Sequence, residues 1–510
     1  MIHPRHEQAT TYMADGYARV TGRIGTAITV PGPGLLNATA ALSTAYACNS
    51  PVLMVTGQVV SDQIGQGRGA LHEINDQLET VSSVVKYAER AMRPTEIPGM
   101  VRRAAKALQT GRPRPAEIEV PPDVLAGVTD VTLLEPETWF RSDLHQADPD
   151  LVEQAAEMLG KAERPLICAG GGALSAEAWA EVGELAVMLE APVLMSSNCR
   201  GVVSDRDYHA HTGRVATLAL VPEADVILVI GSRFLLASSA SFAGATKVEA
   251  MVVQIDIDPD ELGRNREPDV GLRGDAKSAT AALLERIPAH NRSHPSRHDE
   301  LGAIRDRSRE GSAGALLVSD LGTVIREELP DDGTLVTEST QVGYWAQNGG
   351  FEVYEPRTMI TSGYQGTLGY GYATALGAQV GRPDRKVVSI NGDGGFMYNV
   401  QELSTQVQQD IPLVTVVFND MAYGNVRRIQ ALRYNGHTIA SRLHNPDFLK
   451  LADSFGMAGT RAETPDDFRH ALRHALASNS PTLIEVPMPS TEELEGAFRM
   501  HPAPPRPVLQ

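Results

Sequence analysis

Short apolar runs rich in β-branched residues recur along the chain, and stretches with helical periodicity separate them. Runs at 26–30 and 52–55 open the pattern, and those at 165–169, 192–195, 226–230 and 252–257 carry it through the middle. Further runs at 335–337, 386–390 and 413–418 continue it. Strands alternating with helices in this way predict an α/β chain of doubly wound parallel sheets. Three such units are expected: 1–126, closing just after the Pro121-Pro122 turn, then 148–288, then 315–487. A polar stretch rich in Arg and His, 289–314, reads as a linker with a helix inside it. The tail at 488–510, with Pro502, Pro504, Pro505 and Pro507, reads as irregular.

Two acidic loops stand out against this pattern. Gly392-Asp393-Gly394 follows the 386–390 run, and Asn419-Asp420 follows the 413–418 run. Between them Phe396, Val400, Leu403 and Val407 recur every three or four residues, the period of a helix with one buried face. Strand, turn, helix, strand is a βαβ unit, whose right-handed crossover brings both loops to one edge of a parallel sheet. Asp393 and Asp420 can then converge on one ion from neighbouring strands. Gly394 and Gly395 leave room for backbone N–H groups at the helix start to meet an anion. Hard oxygen donors beside a phosphate favour Mg2+ over a soft metal. An isolated Gly-Asp-Gly is more often a plain tight turn; the second acidic loop, one strand further on, makes the pair selective.

Composition narrows the function classes. A chain of 510 residues can build several domains with buried cores. Its 42% hydrophobic and 21% charged content is ordinary for a soluble globular protein. A formal net charge of −18 argues against nucleic acid or an anionic membrane as partner. The apolar stretches are strand-sized, so no membrane span is expected, and no signal-peptide pattern opens the chain. Cys48, Cys168 and Cys199 lack paired spacing, so free thiols in a reducing cytoplasm are expected.

With these two loops the chain resembles thiamine diphosphate-dependent enzymes, whose fingerprint is Gly-Asp-Gly followed by Asn-Asn or Asn-Asp after the next strand. The resemblance implies that Asp393, Asp420 and the Ala422 carbonyl hold Mg2+, with Asp420 adding a charge where many relatives have Asn. Arg5-His6-Glu7-Gln8-Ala9 and Met13-Ala14-Asp15-Gly16-Tyr17-Ala18-Arg19 match a two-part motif of the family's first domain. Taken alone, a glutamate at a helix start is a dipole-complementing surface charge. The resemblance implies instead that Glu7 hydrogen-bonds N1′ of the cofactor's aminopyrimidine. A proton shared there favours the 4′-imino tautomer, whose nitrogen can remove the C2 proton of the thiazolium.

Further segments carry the resemblance. Pro31-Gly32-Pro33-Gly34-Leu35-Leu36-Asn37 is similar to the family's Gly-Pro-Gly-x-x-Asn loop, and Thr56-Gly57-Gln58-Val59 to a loop lining the substrate side. Thr340 and Gln341 fall where relatives hold the diphosphate, as do Gly392, Gly394 and Gly395. Gly366-Thr367-Leu368-Gly369-Tyr370-Gly371 resembles a segment of acetolactate synthases. There Leu368 takes the place of the bulky residue that wedges the two cofactor rings into a V; an isolated leucine is more often core. Tyr423 and Gly424 continue the metal loop into a helix expected to border the substrate.

By the same resemblance the three units are pyrimidine-binding, central and diphosphate-binding domains. Gly170-Gly171-Gly172 lacks the full spaced-glycine fingerprint of a dinucleotide turn. Gly231-Ser232-Arg233-Phe234 resembles Gly-Ala-Arg-Phe of relatives that hold FAD, yet Leu235-Leu236-Ala237 replaces their Asp-Asp-Arg. A structural spacer is the preferred reading of the central domain, with FAD the alternative.

Two departures bear on function. Relatives carry further strands ahead of the Arg-His-Glu motif, so the first domain is expected to be short at its start and to expose a sheet edge. A fragment, a misplaced start and a non-catalytic cofactor-binding paralogue all agree with that opening. His72 lies in Leu71-His72-Glu73, where acetolactate synthases have Phe-Gln-Glu. It is a candidate substrate contact, against the alternative of a surface histidine, and it leaves the 2-keto acid open. The leading expectation is a cytoplasmic decarboxylase or carboligase of 2-keto acids, similar to the acetolactate synthase large subunit, using thiamine diphosphate and Mg2+. In relatives Glu7 and the aspartate pair come from two subunits, which implies a homodimer or tetramer; a regulatory subunit is a further candidate partner. A flavin-dependent 2-keto acid oxidase is the third reading.

Overall fold

The computed structural model describes residues 1–135, 145–235, 248–312, 316–490 and 493–494. The proline-rich tail, Leu236, Ala237 and residues 313–314 of the expected linker lie outside the described residues.

Three parallel sheets organise the chain. The first holds β1 (Gly25–Thr29), β2 (Val52–Gly57), β3 (Tyr87–Arg90) and β4 (Ala116–Val120) in the order β1-β2-β4-β3. The second holds β5 (Pro165–Ala169), β6 (Val193–Met195), β7 (Ala210–Thr212), β8 (Val226–Ile230), β9 (Met251–Asp256) and β10 (Val270–Arg273) in the order β10-β9-β8-β5-β6-β7. The third holds β11 (Thr334–Thr337), β12 (Met359–Ile360), β13 (Val387–Gly392), β14 (Val414–Asn419), β15 (Ala458–Arg461) and β16 (Thr482–Pro487) in the order β12-β11-β13-β14-β16-β15.

Such strands are covered on both faces, which is why they read as unbroken apolar runs. In β5 and β8, Ile167, Ala169, Leu228 and Ile230 join one core, while Leu166, Cys168, Ile227 and Val229 join the other. Residues of alternate parity thus feed opposite layers of helices. The first sheet is less protected. Its strand β1 is an edge, with Ile28 57% exposed and Val30 just beyond it 49% exposed.

Two features position the site. Strands β13 and β14 are parallel neighbours with Gly392 opposite Phe418, so the loops that follow them leave the sheet side by side. The helix Glu7–Thr21 packs on the helix Tyr370–Gly381, burying Tyr12 and Met13 against Tyr370, Tyr372 and Leu376. Glycines make that approach feasible. A Cβ on Gly16 would stand 2.0 Å from the Thr374 carbonyl oxygen, and one on Gly377 would stand 1.9 Å from that of Met13.

Two expectations are corrected in detail. The helix predicted between the acidic loops is three short pieces, Asp393–Phe396, the 3-10 turn Val400–Glu402 and Leu403–Gln408. Buried Asn399 breaks it, donating from Nδ2 to the Gly369 carbonyl at 2.5 Å instead of continuing the turn. The helix His298–Ser312 is more than a connector, because Leu301 and Ile304 are buried in one core of the second sheet. Among the described residues, no helix is long and apolar enough to cross a membrane.

Candidate functional site

At the C-terminal edge of the third sheet, Asp393 is 1% exposed and its side chain meets that of Asp420. Burial pushes the Asp393 carboxyl above its ordinary range, as expected for a desolvated acid. Asn445 donates from Nδ2 to Asp393 Oδ2 at 2.6 Å and to Asn419 Oδ1 at 2.9 Å, tying the two loops together. The Asn419-Asp420 loop folds back on itself: Ala422 N–H donates to Asp420 Oδ1 at 3.2 Å. A Cβ on Gly394 would lie 2.6 Å from the Tyr423 ring, so only glycine lets the two loops approach so closely. Thr340 caps the helix Gln341–Trp345, its hydroxyl accepting from Gly343 N–H at 2.8 Å.

A cavity of about 1940 Å3 opens over this edge. Its wall includes Thr340, Gln341, Leu368, Gly392, Asp393, Gly394, Gly395, Asp420, Ala422, Tyr423 and Gly424, so every expected residue of the diphosphate half meets there. The same cavity runs over the second sheet, past Gly170–Gly172 and Gly231–Leu235. That is the point where the strand order reverses between β5 and β8, the usual crevice of a doubly wound sheet.

The first sheet carries a separate cluster. Glu7 is half-buried in the first turn of its helix, and Asn37 Nδ2 donates to its Oε2 at 3.0 Å. Gly32 has a positive φ of 58°, and a Cβ there would meet the His72 carbonyl oxygen at 2.3 Å. Gln77 accepts from Gly32 N–H at 2.8 Å and donates to Glu119 Oε2 at 2.7 Å, while Gln58 reaches Glu119 Oε1 at 3.3 Å. Arg90 pairs with the same carboxylate. Glu7, Gly32, Gln58 and His72 do not line the cavity that holds Asp393. The site residues expected from sequence therefore form two groups within one chain.

Sequence reasoning missed Asn445, Gln77, Glu119 and Glu338. The one available signal was acidic alternation in β4, where Glu117 and Glu119 are both fully buried in an otherwise apolar strand. Glu338, at the end of β11, is 1% exposed, and burial pushes its carboxyl up to about 8 from an ordinary 4.5. Between those values the folded chain keeps this proton and the unfolded chain has lost it, so stability falls as pH rises from 4.5 through 8. Glu338→Gln removes that loss. The variant should match the wild type near pH 4.5 and exceed it by on the order of 3 kcal/mol at neutral pH and above. Melting curves of the cofactor-free chain across this range check the expectation, which an unchanging difference at all pH values contradicts.

Three family models match the chain. The N-terminal TPP binding domain of thiamine pyrophosphate enzymes matches residues 1–80, the central domain 152–283 and the C-terminal TPP binding domain 338–486. A probable acetolactate synthase large subunit of Methanocaldococcus jannaschii is 34% identical over 97% of this chain and 86% of its own length. The acetolactate synthase isozyme 2 large subunit of Escherichia coli is 33% identical over 98% and 90%. A probable 2-ketoarginine decarboxylase of Pseudomonas aeruginosa is 32% identical over 94% and 86%. Identity of this extent, spread over all three sheets, places the chain in the family of thiamine pyrophosphate-dependent enzymes.

Proposed function

We propose that this chain catalyses thiamine diphosphate-dependent decarboxylation and carboligation of 2-keto acids, as its relatives' names describe for acetolactate synthases and a 2-ketoarginine decarboxylase. The observation that carries this reading is the meeting of Asp393 and Asp420 from adjacent strands in a cavity that Leu368 and the glycines of the first loop also line. When bound, the cofactor supplies the electron sink for breaking and making the bond next to the keto carbon.

The chain's own residues bind, orient and hold a proton. Asp393, Asp420 and the Ala422 carbonyl would hold Mg2+. Two buried-edge carboxylates in contact repel each other without a cation, and their hard oxygens suit this ion. Among the described residues no cluster of three or more His, Cys, Asp or Glu side chains is placed to hold a metal. A two-carboxylate site agrees with Mg2+, which keeps positions open for phosphate oxygens and water. Gly392, Gly394, Gly395, Thr340 and Gln341 would receive the diphosphate. Leu368 would support the rings. Glu7, steadied by Asn37, would hold the proton at N1′ of the pyrimidine. Gly32, Gln58, Tyr423 and Gly424 would border the cofactor, Gln58 and the Tyr423 helix on its substrate side, and His72 would contact the substrate.

Because Glu7 lies outside the cavity of Asp393, a complete site calls for a second copy, and a homodimer is the smallest assembly that supplies it. The words "large subunit" in the relatives' names support a regulatory subunit as a further partner. Unpaired cysteines fit a cytoplasmic setting. For FAD the sequence signature is incomplete. Cβ atoms on Gly170 and Gly172 would meet Gly231 and Ser232 at 2.4–2.6 Å, so these glycines serve loop packing, and Leu235 stands where the resemblance calls for an acid.

A panel of 2-keto acids, offered to the chain with thiamine diphosphate and Mg2+, tests the reading. Release of CO2 from at least one member, lost without the cofactor, is expected. Cofactor binding with no CO2 from any member would instead mark a non-catalytic binder, and yellow colour with peroxide production an oxidase.

A further inference from the structure

Glu338 belongs to no role assigned above, yet it sits where two parts of the site touch. Its backbone N–H donates to the Ile390 carbonyl at 3.0 Å, which pins it to β13, the strand that ends in the first acidic loop. Its Oε1 accepts the Gly369 N–H, directly after Leu368. The Gly369 carbonyl, in the following peptide, is held as well, accepting from Asn399 Nδ2. Gly369 itself has a φ of +83°, a left-handed turn that glycine adopts freely, so hydrogen bonds rather than steric limits hold the turn that presents Leu368.

The same carboxyl also lies against the diphosphate loop. A Cβ on Gly395 would stand 2.4 Å from Oε1 and 2.7 Å from Oε2, and one on Gly371 would stand 3.1 Å from the Glu338 Cβ. Two glycines are thus moulded around one side chain. Oε2 is buried and has no hydrogen-bond partner, which a structural filler would not require.

We propose that Glu338 is a positioning residue whose carboxyl bridges the Leu368-Gly369 turn to the Gly394-Gly395 loop and so fixes the distance between the ring support and the diphosphate anchor. This rests on the thiamine diphosphate reading of the site. The bridge works by shape and by one accepted hydrogen bond, so an amide can replace the carboxyl and an alkyl group cannot.

The test compares wild type, Glu338→Gln and Glu338→Ala as full-length chains with thiamine diphosphate and Mg2+. Glu338→Ala should lower kcat by about tenfold to a hundredfold, as a displacement on the order of 1 Å does, while the cofactor dissociation constant moves by less than about threefold. Hydrogen exchange of the Gly369 amide should quicken at least about tenfold in the same variant, with or without cofactor. Glu338→Gln should keep both kcat and Gly369 exchange near the wild-type values. Where Glu338→Ala does not fold, Glu338→Leu keeps the volume without the acceptor and carries the same expectation. Wild-type exchange at Gly369 in the Ala or Leu variant overturns the proposal, as does an unchanged kcat or a Gln variant as impaired as Ala. Should the wild type turn over no 2-keto acid, the functional reading falls and the exchange and binding measurements decide the bridge on their own.

Discussion

Glu7→Gln should reduce kcat on the order of a thousandfold while thiamine diphosphate still binds with near-native affinity. The substitution is nearly isosteric. Its amide oxygen can still accept from Asn37 Nδ2, which now reaches Oε2 at 3.0 Å, and the Gly34 Cα beside it leaves the same space. What the amide cannot do is share an acidic proton with a ring nitrogen. A loss confined to kcat therefore separates proton holding from cofactor binding, and it is read by pairing CO2 release with a calorimetric titration of the cofactor. Retained turnover would remove Glu7 from this role. A parallel collapse of affinity would make it a binding residue instead.

Asp393→Ala should act at the other end and in the other way. Removing one of the two carboxylates proposed to hold the cation should weaken Mg2+-dependent cofactor binding by about a hundredfold to a thousandfold, or roughly 3–4 kcal/mol. The cofactor-free chain should not suffer. Burial holds this carboxyl above its ordinary range, so its removal lifts a desolvation cost rather than adding one, although Asn445 loses an acceptor. An apo melting temperature equal to or above that of wild type, together with the weakened titration, is the expected pair of results. Unchanged affinity would take Asp393 out of the metal site.

Much of this was legible in the sequence because parallel strands covered on both faces announce themselves as apolar runs. The runs at 165–169 and 226–230 coincide with β5 and β8, and the two acidic loops sit at neighbouring strand ends as a βαβ crossover requires. Legibility ended where tertiary contacts override local period. Phe396, Val400, Leu403 and Val407 keep helical spacing, yet the helix is broken because Asn399 turns to bind Gly369. Glu338 follows a strand like many exposed acids do, and nothing local betrays that Gly395 and Gly371 close over it. Asn445 reaches Asp393 from a loop beyond the next helix, a contact no spacing encodes. Gln77 and Glu119 join Gly32 and Gln58 across three strands in the same fashion.

Co-production of the Glu7→Gln and Asp393→Ala chains tests the account most directly, because it asks whether the two groups of residues complete one site across two copies. Each variant alone should be close to inactive. Mixed dimers hold one site with both groups intact, so about a quarter of wild-type CO2 release should return when the chains pair at random. Co-purifying mixed dimers with no recovered activity would contradict the shared site and with it the roles given to Glu7 and Asp393.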